Sequence, residues 1–207
     1  MDAAEFVAKV RRRETVVGYW VVLDSPTSTE RVASVGYDYV CLDGQHGLFG
    51  YSGMLAGLTA IDAAGEAVGI VRVGANDAAT IGRALDAGAA GVIVPLVNSA
   101  EDAARAVAAS RYPPVGVRSY GPGRYSSPVG PLLAEINDAV MVLAMIETAE
   151  GLADVEAIAA TPGLDGLYIG PSDLTIGLGG AAPGDRSVAT RSSPPWARSA
   201  KPARTTG

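Results

Sequence analysis

The chain has 207 residues, 48% of them apolar, and a formal net charge of −6. That length is enough for one large domain with a sizeable core, and the acidic balance argues against a non-specific nucleic-acid binder. No apolar run approaches the roughly 20 residues that span a bilayer, the opening "MDAAEFVAKVRRRET" lacks the apolar centre of a secretion signal, and the only cysteine, Cys41, forms no internal disulfide, so a reducing cytoplasm is expected.

In chain order, Val16–Leu23 ("VVGYWVVL") reads as a first strand, followed by a short helix in "STERVASVG" that Gly36 stops. Asp38–Asp43 reads as a second strand, and a helical region runs through "MLAGLTAIDAAG" to Gly65. Val68–Val73 leads to "NDAATIGRALDAG", a helix capped by Asn76 or Asp77 and stopped by Gly88. "GVIVPLV" precedes "SAEDAARAVAAS", where Ser99 and Asp102 resemble a capping box with Asp in the usual place of Glu. Val140–Glu147 is a fifth strand, "GLADVEAIAAT" the next helix, and "GLYIG" a sixth strand. The run Arg11–Arg13 reads as a solvated helix face, and Cys41 as a small buried hydrophobe.

These strands are near-continuous apolar runs, which suits parallel strands covered on both faces. Strand–helix repeats with short connections imply a parallel α/β sheet, either open or closed as a (β/α)8 barrel. No Gly-x-Gly-x-x-Gly turn follows an early strand and no Walker A sequence is present, so the barrel is the preferred reading, with six strands counted. Residues 180–207 carry a net charge of +4 against −10 for residues 1–179, with four prolines and only Val188 and Trp196 as large apolar residues. Such a segment does not offset its own ordering entropy. The folded domain is therefore expected over 1–179, with a disordered basic tail over 180–207.

In a barrel, chemistry gathers at the C-terminal ends of the strands. Here the second strand ends in "LDGQHG", with Asp43, Gln45 and His46; the third ends near Arg72; the fifth ends in Glu147; and the sixth in "IGPSD", with Ser172 and Asp173. Each has a simpler reading: Arg72 could pair with a core-edge carboxylate such as Asp86, and Glu147 and Asp173 could cap the helices that follow them. Together, two carboxylates from adjacent strand ends suit a hard divalent cation, Mg²⁺ or Mn²⁺ with Co²⁺ as a further candidate. One histidine and no cysteine cluster argue against structural zinc. A histidine as base and an arginine facing a developing oxyanion then fit enolate chemistry beside a carbonyl.

The segments "GYDYVCLDGQHG", "VRVGANDAATIGRALDAGAAGVIVPLVNSAEDA", "RYPPVGVRSYGPGRY" and "MIETAEGLADVEAIAATPGLDGLYIGPSDLTIGLG" resemble, in order, the HpcH/HpaI aldolase/citrate lyase family of metal-dependent 2-oxo-acid aldolases. The resemblance implies a barrel of the phosphoenolpyruvate/pyruvate type and cleavage of a 4-hydroxy-2-oxo acid to pyruvate and an aldehyde through a metal-stabilised enolate. It implies Glu147 and Asp173 as metal ligands, His46 as base, Arg72 as the residue holding the 2-oxo group, and Asp86 as the acid orienting the histidine. Ser172 and the amides around Gly170, Pro171 and Asp173 would receive the substrate carboxylate at a helix N-terminus. Lys9 and Lys201 are the only lysines and neither ends a strand, which disfavours a Schiff-base aldolase.

Two positions depart from the family pattern: its Glu-His pair reads Gln45-His46, and Met145 stands where Gln is common. Two further strand–helix units, including a helix that packs between subunits, are expected after "GPSDL" in family members, whereas Arg/Pro/Ser/Thr-rich text follows here, so a C-terminally truncated barrel is expected. The implied partners are small molecules and a homo-oligomer, with no nucleic acid and no membrane. A citrate-lyase-like enzyme acting on a CoA thioester, or an inactive fragment, are the alternatives.

Overall fold

The computed structural model describes residues 1–121, 123–124 and 132–188. Its strands are β1 (Gly18–Val21), β2 (Tyr39–Asp43), β3 (Val68–Arg72), β4 (Gly91–Val94), β5 (Met141–Ile146) and β6 (Gly166–Ile169). They form one sheet in sequence order, each parallel to the next. The helices are α1 (Ala3–Arg11), α2 (Pro26–Ala33), α3 (Tyr51–Ala64), α4 (Ala78–Asp86) and α5 (Ala100–Ser110). They continue with α6 (Leu133–Ala139), α7 (Ala149–Ala153), α8 (Val155–Ala159) and α9 (Pro171–Gly177). None is long and apolar enough to cross a membrane.

Local chemistry sets most of these boundaries. Asp77 caps α4 by accepting from Thr80 N–H at 2.9 Å, and Gly88, at φ 106°, carries the chain out of that helix as only glycine does readily. Ser99 accepts from Asp102 N–H at 3.1 Å as a capping box requires, but the Asp102 carboxylate reaches back to Asn98 N–H (2.9 Å). The single helix expected in "GLADVEAIAAT" is two, because Asp154 breaks it. That residue caps the start of α8, and its carboxylate is turned to accept from Ala100 N–H at 3.2 Å, at the start of α5. Arg11 is more than a solvated face: its Nε donates to Asp165 Oδ1 and its Nη1 to Asp138 O, both at 2.7 Å.

β3 and β4 are buried along their whole length, as expected for strands covered on both faces, and Cys41 is buried with its thiol pKa pushed up by that burial. The edge strands β1 and β6 are half-exposed. The sheet nevertheless curls strongly. Trp20 of β1 and Tyr168 of β6 lie on strands at opposite edges, yet their rings meet at 5.3 Å between centroids. The architecture is an incomplete (β/α) barrel of six strands, concave face inward, with the helices outside.

Of the tail expected over 180–207, residues 189–207 lie outside the described residues, and so does Trp196. Residues 180–188 are described, and Val188 there is buried.

Candidate active site

Strand register brings the polar strand ends together. Asp43, the last residue of β2, pairs across the ladder with Arg72, the last residue of β3, and parallel register points both side chains to the same face. Met145 pairs with Tyr168 in the same way, so Glu147 and Gly170, two residues further along each chain, also face the concave interior. Trp20, Arg72, Met145, Glu147, Tyr168 and the turn Gly170–Asp173 line a cavity of about 210 Å³ at this end of the barrel.

Glu147 is 4% exposed and forms no salt bridge among the described residues. Its Oε1 accepts from Leu96 N–H at 2.8 Å; Leu96 is held at φ 55°, an unusual conformation for leucine, and that conformation accompanies an amide aimed at the carboxylate. Burial raises the Glu147 pKa, and the negative charge of Asp173 adds to the rise against the Leu96 amide, Arg72 and His46. Two carboxylates that repel each other at the mouth of a cavity are a donor set for a hard cation. Gly170 leaves the space: a Cβ there would stand 3.0 Å from Glu147 Oε2, so the glycine keeps that oxygen clear. Among the described residues no three His, Cys, Asp or Glu side chains gather to hold a metal alone. A cation here fits as one held by Glu147 and Asp173 and completed by water and substrate oxygens, as Mg²⁺ commonly is.

Asp173 lies in the first turn of α9, where Gly170 is the cap, so its predicted capping role is not taken up. First-turn amides have no partner inside a helix, and those of Ser172 and Asp173 border the cavity; Pro171 contributes none. His46 is exposed in the loop after β2, with its backbone N–H bonded to Asp43 Oδ1 at 3.0 Å. Beside it, Gln45 Oε1 is buried with no hydrogen-bond partner among the described residues.

Two expectations are corrected. Arg72 does not pair with Asp86 but with Asp43: its Nε donates to Oδ1 at 2.9 Å and its Nη2 to Oδ2. Nor does Asp86 reach His46 within the chain. It is the last residue of α4, and α4 runs antiparallel to the strands, so Asp86 stands at the opposite end of the sheet, where it accepts from Arg118 Nη2 at 2.8 Å. Helix direction, which spacing in sequence does not reveal, separates them.

Trp20, Tyr168 and Leu96 were not among the residues expected to form the site, and Asp43 was noted as a polar strand end without a role of its own. Asp43 carries the same signal as Glu147, a carboxylate closing an apolar strand, and was readable on that ground. Burial works against its ionisation, yet the bonds from Arg72, the His46 amide and Trp20 outweigh that and push its pKa down to about 2.

The profile of the HpcH/HpaI aldolase/citrate lyase family matches residues 16–194. The chain is 42% identical over 181 residues to a 4-hydroxy-2-oxovalerate aldolase of Novosphingobium aromaticivorans, covering 86% of this chain and 69% of that protein. It is 36% identical over 178 residues to a 5-keto-4-deoxy-D-glucarate aldolase of Salmonella paratyphi A, covering 84% and 69% respectively. Among solved structures it superposes with a TM-score of 0.83 and 34% identity on an HpcH/HpaI aldolase/citrate lyase family protein from Burkholderia cenocepacia, over 90% of this chain and 77% of that one. With its strand-end carboxylates, arginine and histidine loop in family order, the chain belongs to the HpcH/HpaI aldolase/citrate lyase family, and the two aldolases it resembles are carbon–carbon lyases.

Proposed function

We propose that the protein is a divalent-metal-dependent aldolase that cleaves a 4-hydroxy-2-oxo acid into pyruvate and an aldehyde. The observation that carries this reading is the convergence of Glu147 and Asp173, with no salt-bridge partner for Glu147 among the described residues, on a cavity that Arg72 also lines. The names of the two aldolase relatives support the substrate class. Bound between those carboxylates, a Mg²⁺ or Mn²⁺ ion would supply Lewis acidity toward the 2-oxo group.

The chain's own residues do the rest. The amides of Ser172 and Asp173 receive the substrate carboxylate, which orients the 2-oxo oxygen toward Arg72. His46 takes the proton from the C4 hydroxyl. The C4–O electrons form the aldehyde carbonyl, the C3–C4 bond breaks, and its electron pair becomes the C2–C3 double bond of pyruvate enolate. Arg72 N–H groups face the oxygen on which that charge grows. Return of a proton to C3 yields pyruvate. No amine is required: among the described residues the one lysine, Lys9, is bonded to Asp38 at 2.7 Å. Trp20, Tyr168 and Met145 give the cavity an apolar wall beside these polar groups. A cytoplasmic location belongs to the same proposal.

The test is release of pyruvate from a 4-hydroxy-2-oxo acid by the purified chain. Activity lost to a chelator and restored by Mg²⁺ or Mn²⁺ supports the reading. Chelator-insensitive release, or failure to bind either ion, overturns it.

A further inference from the structure

We infer that Asp43 is a positioning residue that ties the Arg72 guanidinium and the His46 loop into one rigid unit, so that the group facing the enolate oxygen and the group taking the proton keep a fixed separation. This rests on the aldolase reading above.

Asp43 is 2% exposed and its carboxylate gathers donors from three places in the fold. Oδ1 accepts from Arg72 Nε (2.9 Å), Gln45 N–H (3.1 Å) and His46 N–H (3.0 Å). Oδ2 accepts from Arg72 Nη2 and from Trp20 Nε1 at 3.1 Å. A carboxylate offers about four lone-pair directions, so five N–H groups leave Asp43 no capacity for a cation or a substrate. It acts through its neighbours. Arg72 spends its Nε–H and one Nη2–H on Asp43, and the edge carrying Nη1 and the second Nη2–H remains for the cavity. The Trp20 ring lies 5.2 Å from the guanidinium carbon and braces it from one side.

The loop is cinched at the same point. Gly44 N–H donates to Arg72 O at 2.7 Å and Gly47 N–H to Asp43 O at 2.9 Å. A Cβ on Gly44 would stand 2.7 Å from that Arg72 oxygen, so the His46 loop lies directly on the end of β3. Base and guanidinium thus share one carboxylate, and backbone bonds fasten the loop to the end of β3 at the same point.

Asparagine keeps the shape of Asp43 and spoils its chemistry. Whichever way the amide turns, its NH₂ faces N–H donors, either Arg72 Nη2 and Trp20 Nε1 or Arg72 Nε and the loop amides. The experiment compares the full wild-type chain with Asp43→Asn and Trp20→Phe. It reads Mn²⁺ affinity by calorimetry with the metal alone, kcat and KM for pyruvate release, and solvent exchange of the Arg72 Nε–H and His46 amide protons by NMR. Misplacement of about 1 Å costs roughly 100-fold in rate. Asp43→Asn is therefore expected to lower kcat roughly 100-fold, with Mn²⁺ affinity within about twofold of wild type because neither Glu147 nor Asp173 touches Asp43. Trp20→Phe, which removes one donor in five, is expected to lower kcat about threefold to tenfold. Both protons exchange slowly in the wild type and fast in Asp43→Asn.

Wild-type kcat in Asp43→Asn, or a loss of Mn²⁺ affinity in step with kcat, overturns the inference in favour of general support of the barrel end. If Asp43→Asn does not fold, Trp20→Phe and the wild-type exchange rates decide. If the wild type lacks metal-dependent cleavage, the aldolase reading fails by itself. The coupling then stands on slow exchange at Arg72 and His46 and falls on fast exchange.

Discussion

Replacing Gly170 with alanine asks whether Glu147 stands where a cation requires it. Gly170 has φ −93°, which any residue adopts, so the substitution acts through space alone. The new Cβ would lie 2.7 Å from Glu147 Cβ and 3.0 Å from its Oε2, against roughly 3.5–4.0 Å for a relaxed carbon contact. About 1 Å has to be recovered at the Cβ contact. Neither side yields freely, because Gly170 N–H is bonded to Ile146 O at 3.0 Å and Glu147 Oε1 to Leu96 N–H at 2.8 Å. Overpacking of this kind costs about 1–3 kcal/mol. If a displaced carboxylate loses that much of its hold on the cation, the dissociation constant for Mg²⁺ rises roughly fivefold to 150-fold, and the catalytic rate falls up to about 100-fold. Calorimetric titration with Mg²⁺ alone, steady-state pyruvate release and thermal melts measure the three quantities. Gly82→Ala is the control: nothing lies within 4 Å of a Cβ in that α4 position, and alanine there stabilises by about 0.5–1 kcal/mol. A Gly170→Ala protein that binds Mg²⁺ and turns over like wild type would refute the placement of Glu147 as a ligand.

Three further outcomes follow from charge. The Glu147 pKa is raised by burial and by Asp173, so its contribution to stability is complete below the ordinary carboxyl range and is lost as pH rises through the folded value; the metal-free Glu147→Gln protein should then melt higher than wild type at neutral pH while failing to bind Mn²⁺, and a lower melting temperature would contradict the sign. The Asp43 pKa is lowered from 3.8 to about 2, so stability present above the first value is lost as pH falls toward the second, on the order of 2 kcal/mol; denaturant titrations at mildly and strongly acidic pH should show that loss in wild type and not in Asp43→Asn. Removing Asp86 leaves Arg118, 4% exposed, without its carboxylate; Asp86→Ala should cost about 3 kcal/mol in unfolding free energy, and an unchanged midpoint would show that Arg118 needs no partner.

Much of this molecule was legible before any coordinates. Apolar runs of strand length, glycine stops such as Gly88 and side-chain caps such as Asp77 and Ser99 act within a few residues, so the six strands and most of the helices are written locally. The same locality made the strand-end positions of His46, Arg72, Glu147 and Asp173 readable, because a parallel barrel presents all such ends on one side. Short α6, with no side-chain cap, left no such signature, and the break at Asp154 arises from a bond to Ala100 that is distant in sequence.

The choice of partners was made in three dimensions. Register across β2 and β3 gave Arg72 to Asp43, and the reversed direction of α4 carried Asp86 to the far end and to Arg118. The curl of the sheet brought Trp20 against Tyr168 and over Arg72, and the backbone of Leu96 turned its amide onto Glu147. Secondary structure answers to neighbours along the chain, whereas the ionic and hydrogen-bond partners of a buried side chain answer to neighbours in space, and chain spacing carries no record of those.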